Sequence, residues 1–418
     1  MTLAAVLKDA KELAVPTADE TKRVNSLVKE VISKVSREIS RQRLSAKIVV
    51  GGSVAKGTWL PGVSDMDFFI IFNYSKFSGK SKTLSNVAEP VLLKAFRKAD
   101  KLHGSRDYFS VDYKGYALEF VPVLDISKGK EAKNITDFSP LHVSWVQKHA
   151  KKKDDIRLVK QFMKAAKVYG AESYIAGFSG HVVDILVAHY GGFEKLLKAA
   201  KKWRDNEFID PAKHYRNKGE SLKVLNASKI AGPMILIDPI EKNRNAAAAL
   251  GKENYDKFRK VAKKFLKNPN LDFFDEKFVT VEYLKERAGK RSLIVFEIKT
   301  PSGKPDIVGA RMKHIFELLE KNFLAEDFSP KEIGWEFNNT AMFWFYFDKK
   351  PLSKTKLHWG PPAKLAEEHI AGFKKAWKGH KITKKKGRYA VEIKRQYLLP
   401  KELAKALAKE FKLNLISS

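Results

Sequence analysis

The stretch VVGGSVAKGTWLPGVSDMDFFIIF, residues 49–72, limits what this chain can fold into more than any other feature. KIVV (47–50) is a short β-branched strand that stops at Gly51-Gly52, and DMDFFIIF (65–72) is a strand rich in Phe and Ile. Residues two apart on a strand share a face, so Asp65 and Asp67 project side by side. Two neighbouring carboxylates on a strand that is otherwise built for burial are costly without a cation. Magnesium answers that cost, because it is a hard ion held through one or two carboxylates together with substrate phosphates. Upstream, Gly51 and Gly52 let the backbone approach a ligand closely. The helical turns that follow, Ser53 to Gly57, offer backbone N–H groups to an anion, with the Ser53 hydroxyl and the Lys56 ammonium within reach of a phosphate. A lone GGS or a lone DxD is weak; GGS followed by DMD on the next strand points to phosphate and metal chemistry together.

Around this segment the chain reads as several domains. Its 418 residues suggest about three. Apolar positions at Val24, Leu27, Val28, Val31, Ile32 and Val35 predict an amphipathic helix over 18–42. Tyr108 to Val123 alternates and holds two strands around a Lys114-Gly115 turn. After Lys151-Lys152-Lys153, the spacing of Ile156, Val159, Phe162 and Ala166 predicts a helix with Asp154 or Asp155 as N-cap and Gly170 as its stop. A second helix starts near Ser179 and a third covers Gly192 to Trp203. Strands at 292–300 and 341–348 flank a helix at 311–323. The expected organisation is α+β and multidomain: a catalytic head with a small mixed sheet over 1–150, a helical neck over 151–270, and an α+β body with a basic tail over 271–418.

Charge narrows the partner. There are 80 Lys and Arg against 48 Asp and Glu, a net charge of +32, which opposes compaction and calls for an anionic partner. Residues 351–418 alone hold 17 basic and 5 acidic residues, interleaved with His358, Trp359, Phe373, Trp377 and Tyr389. That mixture suits phosphate contact plus base stacking. No apolar run approaches the roughly 20 residues a bilayer needs. MTLAAVLKDAKELAVP carries Lys8, Asp9, Lys11 and Glu12 where a signal peptide would be apolar. With no cysteine, disulfides, thiolate nucleophiles and Cys-ligated zinc are excluded. A cytoplasmic protein with no membrane partner is expected.

GGS, a spacer and two acids one residue apart resemble the nucleotidyltransferase superfamily typified by DNA polymerase beta. YALEFVPVLDI (116–126), SPLHVSWVQKH (139–149), IRLVKQFMKAAKVYGAESYIAGFSGHVVDILVAHYGGF (156–193) and DPIEKNRNAAAAL (238–250) are similar, more narrowly, to the archaeal, class I CCA-adding enzymes. HWGPPAK (358–364) and EHIAGFKKAWKGH (368–380) look like that family's tail. The resemblance implies a tRNA nucleotidyltransferase that adds C, C and A from CTP and ATP to the tRNA 3′ end, without a template and with two magnesium ions. It places the metal-binding acids on Asp65, Asp67 and Glu119. Many members have Asp at the third position, and Asp112 and Asp125 are the alternatives here. It puts nucleotide contacts on Gly52, Ser53, Lys56, His142, Lys160 and Tyr169, and base selection on Arg244. Lys56 stands where the family often has Arg, keeping the charge but not the bidentate fork. Lys160 and Tyr169 lie half a turn out of phase on a straight helix, so Tyr169 must sit past the helix end or the helix must bend. The implied partner is tRNA, held by its acceptor and T arms; related enzymes are often dimers, so the resemblance allows a homodimer, while the sequence itself does not give the oligomeric state.

Three rival readings fit the same residues. A poly(A)-type polymerase of the same superfamily would use ATP alone and extend without stopping. An antibiotic-modifying nucleotidyltransferase shares GGS and DMD but needs neither this length nor the basic tail. A non-catalytic RNA-binding relative would find its best support in Glu119.

Overall fold

A computed structural model describes residues 2–303, 305–338 and 340–417. The chain forms two compact units, one ending at Lys277 and the other beginning at Phe278. Among the described residues no helix is long and apolar enough to cross a membrane.

The first unit is built on a five-stranded sheet. Its strands are β1 (Ala46–Val50), β2 (Asp65–Phe72), β3 (Asp100–Leu102), β4 (Tyr108–Tyr113) and β5 (Tyr116–Leu124), in the order β1-β2-β5-β4-β3. β2 and β5 run parallel while every other pair is antiparallel. The parallel pair requires a crossover, and helix Leu84–Phe96 supplies it. The β4–β5 hairpin turns on Lys114 (φ 53°) and Gly115 (φ 81°), two left-handed residues of the kind a tight hairpin demands.

Period-2 alternation sorts β2 into two faces. Met66, Phe68, Ile70 and Phe72 join the core beneath helix Ala18–Arg41, which contributes Val24, Leu27, Val28, Val31, Val35 and Ile39. That helix begins at Thr17, whose hydroxyl accepts from the Glu20 N–H at 3.2 Å. Phe69 and Ile71 pack with Val123 on the opposite face, the face that also carries Asp65 and Asp67.

A second core belongs to helices Ser139–His149, Lys153–Ala165, Gly180–Tyr190, Phe193–Ala200 and Lys252–Lys267. The first helix of the chain, Leu3–Ala14, packs Val6, Ala10 and Ala14 into this core. Phe162 sits at its centre, ringed by Phe193, Phe265 and Phe274 with centroids 5.4–5.6 Å away. Helix Lys153–Ala165 departs from the sequence expectation at both ends. Lys152 occupies the N-cap position and Asp154 and Asp155 lie in the first turn, where their charge favours the helix dipole. Its stop is Lys167 at φ 52°, not Gly170; Lys167 N–H bonds to Lys164 O and Val168 N–H to Met163 O, a Schellman-type closure. Gly170 instead serves the following loop, donating to Phe178 O and accepting from Gly177 N–H.

The second unit carries an antiparallel sheet of Asn414–Ser417, Ser292–Lys299, Thr340–Phe347 and Glu332–Phe337, in that order. Helix Pro305–Ala325 covers one face through Met312, Phe316, Leu319 and Phe323. The expected strand–helix–strand is present, with Glu332–Phe337 added as an edge. A three-stranded sheet of Thr355–Pro362, Arg388–Lys394 and Ile382–Lys385 packs helix Glu367–Ala376 against its first strand.

Candidate active site

The acids come together through sheet register. Asp67 pairs with Glu119 across the parallel β2–β5 ladder and Asp65 pairs with Ala117, so all three carboxylates leave one face of two adjacent strands. Asp112 shares that face one strand further out, opposite Ala117. Asp125 lies beyond the far end of β5 and pairs with Lys47 at 3.0 Å. Asp65 is exposed and Asp67 half-buried. Burial pushes the Asp67 carboxyl up, the like charge of Asp65 adds to this, and Lys56 opposes it. Glu119 also helps to push the Tyr108 hydroxyl up, after burial of that ring.

The glycine turn is shaped by these acids. Gly51 N–H donates to Asp67 O at 2.7 Å. A Cβ on Gly51 would lie 2.6 Å from the Phe69 ring, and one on Gly52 only 1.7 Å from Asp67 Oδ2, at a φ of +52°. Only glycine, with no Cβ, lets the backbone at position 52 pass this close to Asp67. The turn then runs into helix Gly52–Lys56, which contains Ser53 and ends on Lys56.

Lys56 reaches back into the second core. Its Nζ lies 2.7 Å from Asp184 Oδ2. Lys160, nearly fully buried, donates to Thr58 O (2.9 Å) and Thr58 Oγ1 (3.2 Å) and stands 4.0 Å from Asp184 Oδ1. Burial pushes its ammonium down, against the pull of Asp184. Tyr169 sits past the helix end, bridged to Phe178, which resolves its phase relative to Lys160. Burial pushes its hydroxyl up, with Asp184 and Asp65 adding to the effect. Lys160 and Tyr169 therefore stand behind Lys56, grouped about Asp184.

A third group gathers around Asp238. The His142 and His181 ring centroids lie 4.2 Å apart, and each Nε2 is within 3.1 Å of an Asp238 oxygen. Arg244 Nη1 donates to Asp238 Oδ2 at 2.7 Å. His181 is held neutral: burial lowers it to about 4, though Asp238 pulls the other way.

These parts meet in one cleft of about 390 Å³, lined by Gly52, Lys56, Asp67, Phe69, Val121, Thr136, Ser139, His142, His181 and Arg244 among others. The structure thus brings Gly52, Lys56, Asp67, His142 and Arg244 onto one wall. Asp65, Glu119, Ser53, Lys160 and Tyr169 are not among the residues that line the cleft. Sequence reasoning missed Asp184, His181 and Asp238. The signal for Asp184 was present, since an acid inside the apolar helix GHVVDILVAHY must be buried and a buried acid needs a partner. Asp238 carried a similar signal at the end of MILID.

The second unit offers an aromatic, basic surface. His358 stacks near Phe373 and Trp377, with centroids at 6.2 and 4.8 Å, and Trp377 meets His380 at 5.2 Å. Lys374 and Lys384 lie over the Tyr389 ring, and Trp359 is 42% exposed.

Family models match three segments: a nucleotidyltransferase domain over residues 32–142, the second domain of tRNA nucleotidyltransferases over 154–275, and the C-terminal domain of CCA-adding enzymes over 289–415. The CCA-adding enzyme of Nanoarchaeum equitans is 36% identical over 336 residues, covering 78% of this chain and 80% of that protein. The CCA-adding enzyme of Pyrobaculum aerophilum is 31% identical over 375 residues, 86% of this chain and 83% of its own. That of Methanosarcina mazei is 30% identical over 418 residues, 96% and 87% respectively.

Proposed function

The chain belongs to the CCA-adding enzyme family and is a nucleotidyltransferase, and from that premise we propose that its cleft adds C, C and A in turn to the 3′ end of tRNA. CTP and ATP are the substrates and pyrophosphate leaves. The observation that carries this reading is the meeting of Asp67, the glycine turn, Lys56, His142 and Arg244 in a single cleft, with Asp65 and Glu119 on the same sheet face as Asp67.

The acid face fits a divalent metal. Three carboxylates share one side of two paired strands, and Asp67 is strained by burial and by Asp65 with Lys56 as the opposing charge. Asp65, Asp67 and Glu119 would hold magnesium, which when bound lowers the pKa of the tRNA 3′-hydroxyl and neutralises charge on the transferring phosphate. The chain's own groups do the rest. The turn at Gly51-Gly52 admits the triphosphate beside Asp67. Lys56 neutralises charge on the β and γ phosphates from the cleft wall, His142 lines the same cleft beside it, and Ser53 belongs to the same helical turn as Lys56. Lys160 and Tyr169 support that wall from behind. Arg244 donates to acceptors on the edges of C and A; U and G present donors there and leave buried groups unpaired.

In this reading residues 1–150 are the catalytic head, 151–270 the nucleotide-binding neck, and 271–418 the tRNA-binding body and tail. The basic, ring-studded surface around Trp377 holds the acceptor and T arms by backbone and shape, as suits duplex RNA.

The test is a tRNA transcript lacking its CCA end, incubated with magnesium and labelled nucleotides. Two C additions with CTP alone and one A more when ATP joins are expected, and chelation of the metal abolishes both. A long ladder with ATP alone would refute the reading.

A further inference from the structure

One fully buried carboxylate organises three side chains that line the cleft, His142, His181 and Arg244. Asp238 Oδ1 lies 2.9 Å from His142 Nε2 and accepts from the N–H groups of Ile240 and Glu241 at 2.9 and 3.2 Å. Oδ2 accepts from Arg244 Nη1 at 2.7 Å and lies 3.1 Å from His181 Nε2. Burial pushes the Asp238 carboxyl up, but the hydrogen bonds from His142 and His181 more than reverse this and keep it ionised. An ionised carboxylate can only accept, so each ring carries its proton on Nε2 and donates. Five donors fill the roughly four lone-pair sites a carboxylate has. The ligand atoms of His142, His181 and Asp238 lie within 4.8 Å of one another. The Arg244 cation beside them and the filled carboxylate make this a hydrogen-bond hub and not a metal centre.

Arg244 is 30% exposed at its side chain and ends in a cleft. A free arginine samples many rotamers and can turn aside from a mismatched base. Anchored through one Nη, its remaining donors point in one direction before the nucleotide arrives, and that rigidity is what converts a contact into discrimination. We propose that Asp238 is a positioning residue for base selection, fixing the Arg244 guanidinium as a rigid donor on the cleft wall with the His142 imidazole held beside it. The proposal rests on the CCA-adding reading above and assigns to Asp238 the discrimination of C and A from U and G, with the chemical step left to the acid face.

The experiment compares full-length wild type with Asp238→Asn on the tRNA transcript lacking CCA, using CTP and UTP separately. The variant is expected to raise KM for CTP about tenfold and lower the CTP-to-UTP ratio of kcat/KM by about tenfold, as loss of an orienting contact should. The Kd for tRNA stays within about twofold of wild type, because the C-terminal unit holds the tRNA in this reading, and any fall in kcat from the loosened His142 is common to both nucleotides and cancels in the ratio. A double variant, Asp238→Asn with Arg244→Gln, discriminates no worse than Arg244→Gln alone. An unchanged CTP-to-UTP ratio, or equal losses for both nucleotides, would overturn the proposal. The wild-type protein gives a second reading that needs no Asp238 variant. With ¹⁵N-labelled arginine, the Arg244 Nη signals, identified by their loss in Arg244→Gln, should be those of a slowly rotating guanidinium; a freely rotating one also overturns it. A wild type that adds neither C nor A instead fails the functional reading beneath the proposal.

Discussion

Asp67 and Asp238 line or back the same cleft, and the protein treats them in opposite ways. Asp238 is fully buried and receives five donors, and its carboxyl is held well below the ordinary range. Asp67 is half-buried beside another acid, and its carboxyl is pushed up. Where the fold itself supplies the counter-charge, the acid is scaffold. Where the fold adds a second acid, the missing charge must come from outside, and that is the position a metal ion and a triphosphate take in our reading. Asp184 belongs with Asp238, since its partners are Lys56 and Lys160 of the same chain.

The sharpest break of this comparison is at Asp67. Asp67→Asn should cut nucleotide addition about a thousandfold or more, because several kcal/mol of charge stabilisation disappear, while filter binding shows tRNA affinity unchanged. Activity near wild type would end the metal assignment. Asp184→Asn should act on stability instead. Two lysines would face each other with no acid between, and urea unfolding should show a loss of about 3 kcal/mol, typical of a broken buried pair. A loss below about 1 kcal/mol would place Asp184 among surface pairs. Gly52→Ala probes the contact between turn and acid. Its Cβ falls 1.7 Å from Asp67 Oδ2, so the carboxylate must turn away. Addition should fall about a hundredfold, as misplacement by an ångström can cost, with unfolding free energy changed by only about 1 kcal/mol. Full activity in that variant would mean that the Asp67 orientation does not matter.

Much of this was legible in the chain. The β2 strand with Asp65 and Asp67, the helix under it and the Lys114-Gly115 hairpin all follow from period and turn chemistry. What sequence could not supply was pairing between distant segments. Asp67 and Glu119 share a face because β2 and β5 run parallel in one register, a fact that depends on the 51 residues between them. The stop at Lys167 was missed because a left-handed lysine looks like any lysine in sequence, whereas Gly170 announces itself. Asp184, His181 and Asp238 were missed for a related reason. Their roles lie in which residues they meet, 57 to 128 positions away.

His181 gives the mildest and most specific way to sharpen the contrast. Its ordinary value of 6.5 applies in the unfolded chain, and in the folded protein burial lowers it to about 4. Below about 4 both states carry the proton; above 6.5 neither does. Between the two, the unfolded chain binds a proton that the folded one refuses, so stability falls as pH drops from 6.5 towards 4, by at most about 1.4 kcal/mol per pH unit from this group. Asp238 works in a different window. Its folded value lies below the ordinary 3.8, so the stability it contributes is present above that value and is lost only in stronger acid. Urea unfolding at pH 7, 6 and 5 therefore separates the histidines from Asp238, and comparison with a His181 variant separates His181 from His189, which burial also lowers. The wild type should lose stability across this series, and His181→Gln should lose less, with a slope flatter by up to one proton. Parallel slopes would mean that folded His181 takes its proton as readily as an exposed histidine. The Asp238 hub would then tolerate a second cation next to Arg244, and its contrast with the unsatisfied Asp67 would be lost.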